Sequence, residues 1–484
     1  KLWMIIRGDN MLKKTKIVCT IGPASRDADT MREMLEAGMN VARLNFSHGT
    51  HEEHRKTIET FRRVRDEQDR PAAILLDTKG PEIRLGDFEN GSEILEEGDE
   101  FTLTSEECPG TKERVSTTYK ALPSQVSLGT SILIDDGRVR LRVAGTTEDE
   151  VRCIVVNGGK VSNRKGVNIP NQSLDLEYIS EADRQDILFG IEMDVDYVAA
   201  SFVRSGADVK VLRSLLNENG GDRIKIISKI ENTEGIENFK EILALSDGIM
   251  IARGDMGVEV DFEKLPGIQK KFIKECCKAG KTVITATQML ESMTHSPAPT
   301  RAEITDVANA VFDGTSAVML SGESAAGDYP VETVKAMAKI VSQAEEDAEE
   351  VNQYKFLEVE TNDRDVSNAM GHAACTTAHD IKASAIVAIT TSGYTAEMMA
   401  KYKPVEPIIA ATPDSKTYHQ QALTRGVYPV LTQRSSNWND LMEKAIEGAE
   451  RMKFVKKGDC IVLSAGMPLQ VPGTTNLIRV KTIE

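Results

Sequence analysis

The sequence predicts an α/β protein: a (β/α)8 TIM barrel with an inserted small β-barrel domain and a C-terminal doubly wound α/β domain. Three observations carry that expectation. Eight short β-branched runs recur, each followed by a segment of helical period. Residues 80–176 interrupt the series with short alternating strands and turn residues instead. Beyond residue 346 a second strand–helix alternation begins.

The eight runs are Lys16–Gly22, Asn40–Ser47, Ala72–Thr78, Tyr197–Val203, Lys225–Glu231, Gly248–Arg253, Thr282–Thr287 and Ala317–Glu323. Helical stretches such as His51–Gln68, Glu181–Glu192, Ala207–Asn217, Phe262–Ala279 and Thr300–Phe312 lie between them. Eight such units imply a parallel sheet, and eight is the number that closes a barrel. An open doubly wound sheet is the alternative. Polar residues end nearly all the runs, however, and only a barrel brings all those ends to one mouth.

The barrel is expected in two parts, residues 11–79 and 177–346. The insert at 80–176 reads as strands Phe101–Thr104, Ser131–Asp135, Arg138–Ala144, Val151–Val156 and Gly166–Ile169, with no long helix. Pro109-Gly110, Asp136-Gly137 and Asn157-Gly158-Gly159 separate them as turns. An insert at this place sits over the barrel mouth and can act as a lid. Residues 347–484 carry strands Ala385–Thr391, Pro407–Ala411, Val427–Leu431, Cys460–Ser464 and Leu477–Lys481, a domain of its own. Residues 1–10 read as an extension whose apolar stretch is too short for a signal peptide. Met11 then reads as the natural start, and no further domain is expected after Glu484.

Composition excludes several function classes. Of 484 residues, 40% are hydrophobic, enough for several cores. The net charge is −16 with no basic block, which argues against nucleic acid as a partner. Acidic substrates must then be drawn by local cations. No apolar run approaches the ~18 residues that cross a bilayer, so no membrane partner is expected. The seven cysteines, Cys19, Cys108, Cys153, Cys276, Cys277, Cys375 and Cys460, form no C-x-x-C pair. Reduced thiols in a cytoplasmic protein explain them better than disulfides or zinc.

The strand ends carry the chemistry. In Ser228-Lys229-Ile230-Glu231, period two puts Lys229 and Glu231 on one face. Buried together, they need partners. A divalent metal on Glu231 and an anionic substrate on Lys229 would serve; a structural ion pair is the alternative. Asp255, just past the sixth run in Ala252-Arg253-Gly254-Asp255, is the natural partner of Glu231 for a magnesium-like ion. Gly254 lets backbone N–H groups approach a substrate carboxylate, and the helix start there favours an anion. Arg43, Asn45 and Ser47 alternate onto one face, a guanidinium and two neutral oxygens suited to a phosphoryl group and a cation. Asp77 and Thr78 add oxygens, and Arg84 adds a second guanidinium at the entrance to the insert. Thr287 and Glu323 end the last two runs, where helix capping is the first reading of each taken alone. There is no Walker A sequence and no nucleophile dyad. The set fits phosphoryl transfer by charge stabilisation.

With these motifs in place, Lys13–Lys481 resembles pyruvate kinase. The match is carried by Lys16–Pro23, Met39–Gly49, Leu76–Gly86, Ile227–Asn232, Asp247–Gly257, Ala286–Met293, Pro299–Asn309 and Met319–Pro330. The resemblance implies transfer of a phosphoryl group from phosphoenolpyruvate to ADP, giving pyruvate and ATP, in a homotetramer. It implies that Lys229 stabilises the transferring group, and that Glu231 and Asp255 hold Mg2+ (or Mn2+). Asn45, Ser47, Asp77 and Thr78 match the K+ ligands. Arg43, Gly254, Asp255 and Thr287 match contacts to phosphoenolpyruvate, with Arg43 and Thr287 serving the chemistry as well. Arg84, His48 and Lys165 match nucleotide contacts; Lys165 lies in the insert, so its closing would complete the site. Glu82 is the residue found in potassium-dependent relatives. The chain departs from many relatives at Ala326-Gly327, where they carry Lys-Gly, which removes one expected nucleotide contact.

Thr391, Ser392, Gly393 and Thr395 end a strand and open a helix in the last domain, a form suited to phosphate. The resemblance makes that loop an allosteric sugar-phosphate pocket, for fructose 1,6-bisphosphate, for AMP with a sugar monophosphate, or for no effector; an ordinary capped turn is the alternative. Two rival functions remain on sequence grounds: a pyruvate-handling lyase or aldolase on a similar barrel, and a catalytically silent metabolite sensor. The insert with Lys165 and the paired arginines argue against the first, and intact Lys229, Glu231 and Asp255 against the second.

Overall fold

The computed structural model describes residues 13–172, 174–351, 365–467 and 475–484. The expected extension at 1–10 and the start at Met11 lie outside them. Eight parallel strands form a closed barrel: Lys16–Thr20, Val41–Asn45, Ala73–Asp77, Tyr197–Ala200, Lys225–Ile230, Gly248–Ala252, Thr282–Ala286 and Ala317–Leu320. The first strand pairs with both the second and the eighth, which closes the ring. These strands are almost wholly buried, as a parallel sheet between a filled interior and a shell of helices must be.

The helices begin where the sequence offers caps. Thr50 and Thr300 each form a reciprocal capping box, with Glu53 and Glu303. The expected helix Phe262–Ala279 divides: Phe262–Lys264 is a 3-10 turn, and the α-helix starts at Leu265. Pro266 has no N–H to give and fits only a first turn, so it sets that start.

The insert leaves the barrel after the third strand. Its seven-stranded sheet runs from Ile83–Arg84 at one edge to Arg114–Ser116 at the other. A bridge between Leu85 and Thr117 joins those edges, so the sheet closes around its own apolar core. The C-terminal sheet has the order Val427–Leu431, Ile408–Thr412, Ala385–Ile389, Cys460–Gly466, Thr475–Thr482; only the last strand is antiparallel. Alternate residues feed two cores, Ala385 and Val387 on one face, Ile386 and Ala388 on the other. Helices cover both faces, the doubly wound arrangement.

The two bodies share a core. Leu423, in the C-terminal body, packs inside the barrel floor with Val18, Val41, Leu75 and Ile227. Tyr197 donates its hydroxyl to the Gln420 carbonyl at 2.7 Å beside it. All seven cysteines are free, and no helix among the described residues is long and apolar enough to cross a membrane.

Candidate active site

The barrel turns the C-terminal ends of its strands to one mouth, and a chain of charges crosses it. Asp77 ends the third strand with its side chain 1% exposed. It takes Arg43 Nε at 2.6 Å from the second strand and Lys229 Nζ at 3.0 Å from the fifth. Burial works against the Asp77 carboxylate, but the two cations outweigh it and hold it below the usual range. Lys229 also meets Glu231 Oε1 at 3.0 Å. Burial penalises the Lys229 ammonium, yet Asp77 and Glu231 raise it well above an ordinary lysine, so it stays charged at any working pH.

Glu231 and Asp255 behave differently. Burial pushes Glu231 up to about 7, against the pull of Lys229 and with the push of Asp255. Asp255 is raised too, mainly by burial, and is hydrogen-bonded to Glu231. Arg43 and Lys229 offset two of the three carboxylates Asp77, Glu231 and Asp255, and the third calls for a shared proton or a further cation. No group of three or more His, Cys, Asp or Glu able to hold a metal occurs among the described residues. A pair of carboxylates completed by substrate oxygens and water is the shell that magnesium takes, so the donor set fits that ion.

Thr287 and Gly254 meet at the far wall. The Gly254 N–H donates to Thr287 Oγ1 at 2.8 Å, and that hydroxyl donates to the Ala286 carbonyl at 2.6 Å. Helix Arg253–Glu259 starts here, so Gly254 and Asp255 lie in its first turn.

The other candidates are placed less uniformly. Asn45 and Ser47 stay near the mouth, the Asn45 side-chain carbonyl accepting the Ser47 N–H at 3.2 Å. Thr78 Oγ1 is used between strands, accepting from Ser201 N at 3.1 Å. The His48 ring is exposed. Arg84 gives Nε and Nη2 to one oxygen of Glu82, at 2.8 and 2.5 Å. Lys165 sits on Asp135 within the insert at 2.8 Å. In the C-terminal body Thr391 and Ser392 are exposed, while Gly393 is buried at a φ of 87° and its N–H is taken by Thr390. The Thr395 hydroxyl is buried against Thr475 at 2.8 Å.

Two residues stand outside the sequence expectations. Ser201 accepts Lys229 Nζ at 2.7 Å and donates to the Thr78 carbonyl at 2.6 Å. It directly follows the fourth strand, Tyr197–Ala200, and the rule that polar strand ends face the mouth would have found it. Arg253 adjoins Gly254 in sequence, yet its guanidinium reaches the seventh-strand loop and Asp306.

Residues 12–334 match the family model described as pyruvate kinase, barrel domain, and residues 368–481 match the one described as pyruvate kinase, alpha/beta domain. The chain belongs to the pyruvate kinase family. It is a phosphotransferase, as that membership requires. A pyruvate kinase of Clostridium acetobutylicum is 46% identical over 98% of this chain and all of its own length. One of Geobacillus stearothermophilus is 48% identical over 98% of this chain and 81% of its own. The crystal structure of a pyruvate kinase from Cryptosporidium parvum superposes with a TM-score of 0.91 at 38% identity, covering 98% of this chain and 96% of that one.

Proposed function

We propose that the barrel mouth moves a phosphoryl group from phosphoenolpyruvate to ADP, giving pyruvate and ATP, the last step of glycolysis. The observation that carries this reading is the Lys229 ammonium, kept charged between Asp77 and Glu231 with Arg43 alongside. A phosphoryl group in transit spreads negative charge over its oxygens, and fixed cations in a water-poor site stabilise it most. Lys229 and Arg43 are placed to do so by exchanging carboxylate for phosphoryl oxygen. The helix start at Gly254 and Asp255 suits the substrate carboxylate, while the Gly254 N–H itself rests on Thr287 Oγ1.

Glu231 and Asp255 would hold Mg2+ or Mn2+, which supplies charge neutralisation on the phosphoryl and enol oxygens when bound. Asn45, Ser47, Asp77 and Thr78 offer a softer oxygen field suited to K+. Arg84, His48 and Lys165 are the nucleotide contacts. Arg84 and Lys165 rest on Glu82 and Asp135, so nucleotide phosphates would compete with those carboxylates. The second half of the reaction protonates the enol carbon, and the Thr287 hydroxyl orders the group or water that delivers the proton.

The Thr391–Thr395 loop is the effector site, with Thr391 and Ser392 as its accessible part, for a sugar phosphate or AMP. The same reading makes the enzyme an allosteric cytoplasmic homotetramer.

The test is pyruvate formation from phosphoenolpyruvate and ADP, titrating Mg2+, K+ and phosphorylated metabolites. Equal pyruvate formation from phosphoenolpyruvate without nucleotide would mean that water takes the phosphoryl group and would overturn the assignment; pyruvate released from a 2-oxo acid substrate by C–C cleavage would favour the lyase. Ser392→Asp should abolish activation by a phosphorylated effector while leaving the maximal rate intact. A wild type that answers to no such metabolite would refute the regulatory role.

A further inference from the structure

Arg253 opens helix Arg253–Glu259, directly before Gly254 and Asp255. Its side chain is 10% exposed and lies against the loop after the seventh strand. Nε donates to the Ala286 carbonyl at 3.2 Å. Nη2 donates to the Thr287 carbonyl at 2.6 Å and to Met289 Sδ at 2.8 Å. Nη1 donates to both oxygens of Asp306, at 2.8 and 2.7 Å, and to Gln269 Oε1 at 3.4 Å. Every guanidinium nitrogen is engaged, and Asp306 ties the fork to helix Arg301–Asp313.

That loop needs holding. Thr287 and Gln288 have φ of 68° and 53°. For a β-branched residue such a φ is an outlier. It costs about 1–3 kcal/mol and persists only where its surroundings impose it. The conformation sets the Thr287 hydroxyl between the Ala286 carbonyl and the Gly254 N–H. The hydroxyl then gives its one proton to Ala286, accepts from Gly254, and retains one further acceptor position.

We propose that Arg253 is a positioning residue for the protonation half of the reaction. It braces the left-handed Thr287–Gln288 turn and thereby fixes the Thr287 hydroxyl at Gly254. The proposal rests on the role assigned to Thr287 above. A lysine cannot replace it, because one ammonium cannot span two loop carbonyls and a carboxylate in a plane.

The experiment is a double-mutant cycle on kcat with wild type, Arg253→Lys, Thr287→Ala and the double variant, scored also for exchange of the pyruvate methyl hydrogens with solvent. Arg253→Lys should lower kcat and methyl exchange together by about 100-fold, the cost of roughly an ångström of misplacement. The KM for phosphoenolpyruvate should move far less. In the Thr287→Ala background the same substitution should cost at most about twofold, the tolerance of independent sites. A full loss in both backgrounds, or wild-type kcat in Arg253→Lys, overturns this proposal alone. Wild-type kcat in Thr287→Ala overturns the reading of Thr287 and this proposal with it. Should Arg253→Lys fail to fold, Asp306→Asn, at a side chain 37% exposed, takes its place in the cycle. A loss confined to the Thr287 background supports the brace, and an equal loss in both backgrounds overturns it.

Discussion

Both ends of the barrel bury charge, and they do it differently. On the floor, backbone groups help to hold each charge, alongside side-chain pairs such as Arg65 with Asp196 at 3.8 Å. Glu345 accepts the N–H groups of Lys14 and Thr15 at 2.8 and 2.5 Å. Asp196 accepts Ile74 N at 2.7 Å, and Lys16 Nζ donates to the Val427 carbonyl at 2.7 Å. At the mouth, side chains meet side chains: Arg43 with Asp77, Lys229 with Asp77 and Glu231, and Glu231 with Asp255. Glu231 also takes a backbone group, Phe202 N at 2.6 Å. Backbone partners cannot leave, so a floor charge held by them is locked. Side-chain partners can be exchanged for a ligand. A buried ion pair is therefore poor grounds for inferring function; an exchangeable cluster with carboxylates in mutual contact is better.

The hardest test of that contrast is Lys229→Met. It removes the one cation common to Asp77 and Glu231 and should lower kcat by about 10²–10³, the cost of one lost charge-stabilising donor. Circular dichroism should show an intact fold, since the barrel strands keep their backbone pairing. A folded variant with near-normal kcat would make the mouth no more functional than the floor. Glu231→Gln should come next, raising the Mg2+ needed for half-maximal rate by about tenfold or more. An unchanged Mg2+ titration there and in Asp255→Asn would remove the metal from this pair.

The mouth is more legible in the sequence than the floor, for a physical reason. A parallel barrel turns every strand end one way, so local period-two reasoning about Arg43, Asp77, Lys229, Glu231 and Asp255 converges on one place. The floor depends on docking between distant segments. Nothing in the periodicity around Leu423 says that it enters the barrel beside Val18 and Ile227. Pairing is equally hidden. The resemblance makes Arg84 and Lys165 nucleotide contacts, but their resting partners, Glu82 two residues away and Asp135 across a strand pair, do not show in the sequence. The sequence pattern puts Arg253 at a strand end, whereas a helix starts there and its fork reaches the neighbouring loop.

Glu82 offers a milder test, at the rim of the mouth. Its carboxylate holds Arg84, and its charge helps raise Asp255, so it makes the mouth more negative. A bound monovalent cation would offset that. Glu82→Lys replaces the carboxylate by an ammonium, a compact charge able to stand in for the ion. Most of the potassium stimulation should be lost, and the rate in potassium-free buffer should rise. Arg84, released, remains available for nucleotide phosphate, so the KM for ADP should not increase. Rates measured with tetramethylammonium holding ionic strength decide the matter. A wild type indifferent to potassium would refute the cation site at Asn45, Ser47, Asp77 and Thr78.

The smallest effect on rate belongs to the floor, and its sign is the informative part. Lys16 is 3% exposed, and burial, with Lys13 adding to it, pushes its ammonium down to about 7. Its lowered value means that an unfolded chain binds a proton between about pH 7 and 10 that the folded chain does not. Stability from this group therefore rises with pH through that window and is lowest below it. Lys16→Met keeps the volume and removes the buried charge, at the loss of one hydrogen bond to Val427, worth about 1 kcal/mol. The net should be a gain of about 1–2 kcal/mol near pH 6.5. That gain should fade as the pH approaches 10, with kcat unchanged throughout. Thermal unfolding of wild type and Lys16→Met at pH 6.5 and 9.5 reads it directly. A variant less stable at pH 6.5, or one with impaired kcat, would show that the floor lysine belongs with the exchangeable charges of the mouth.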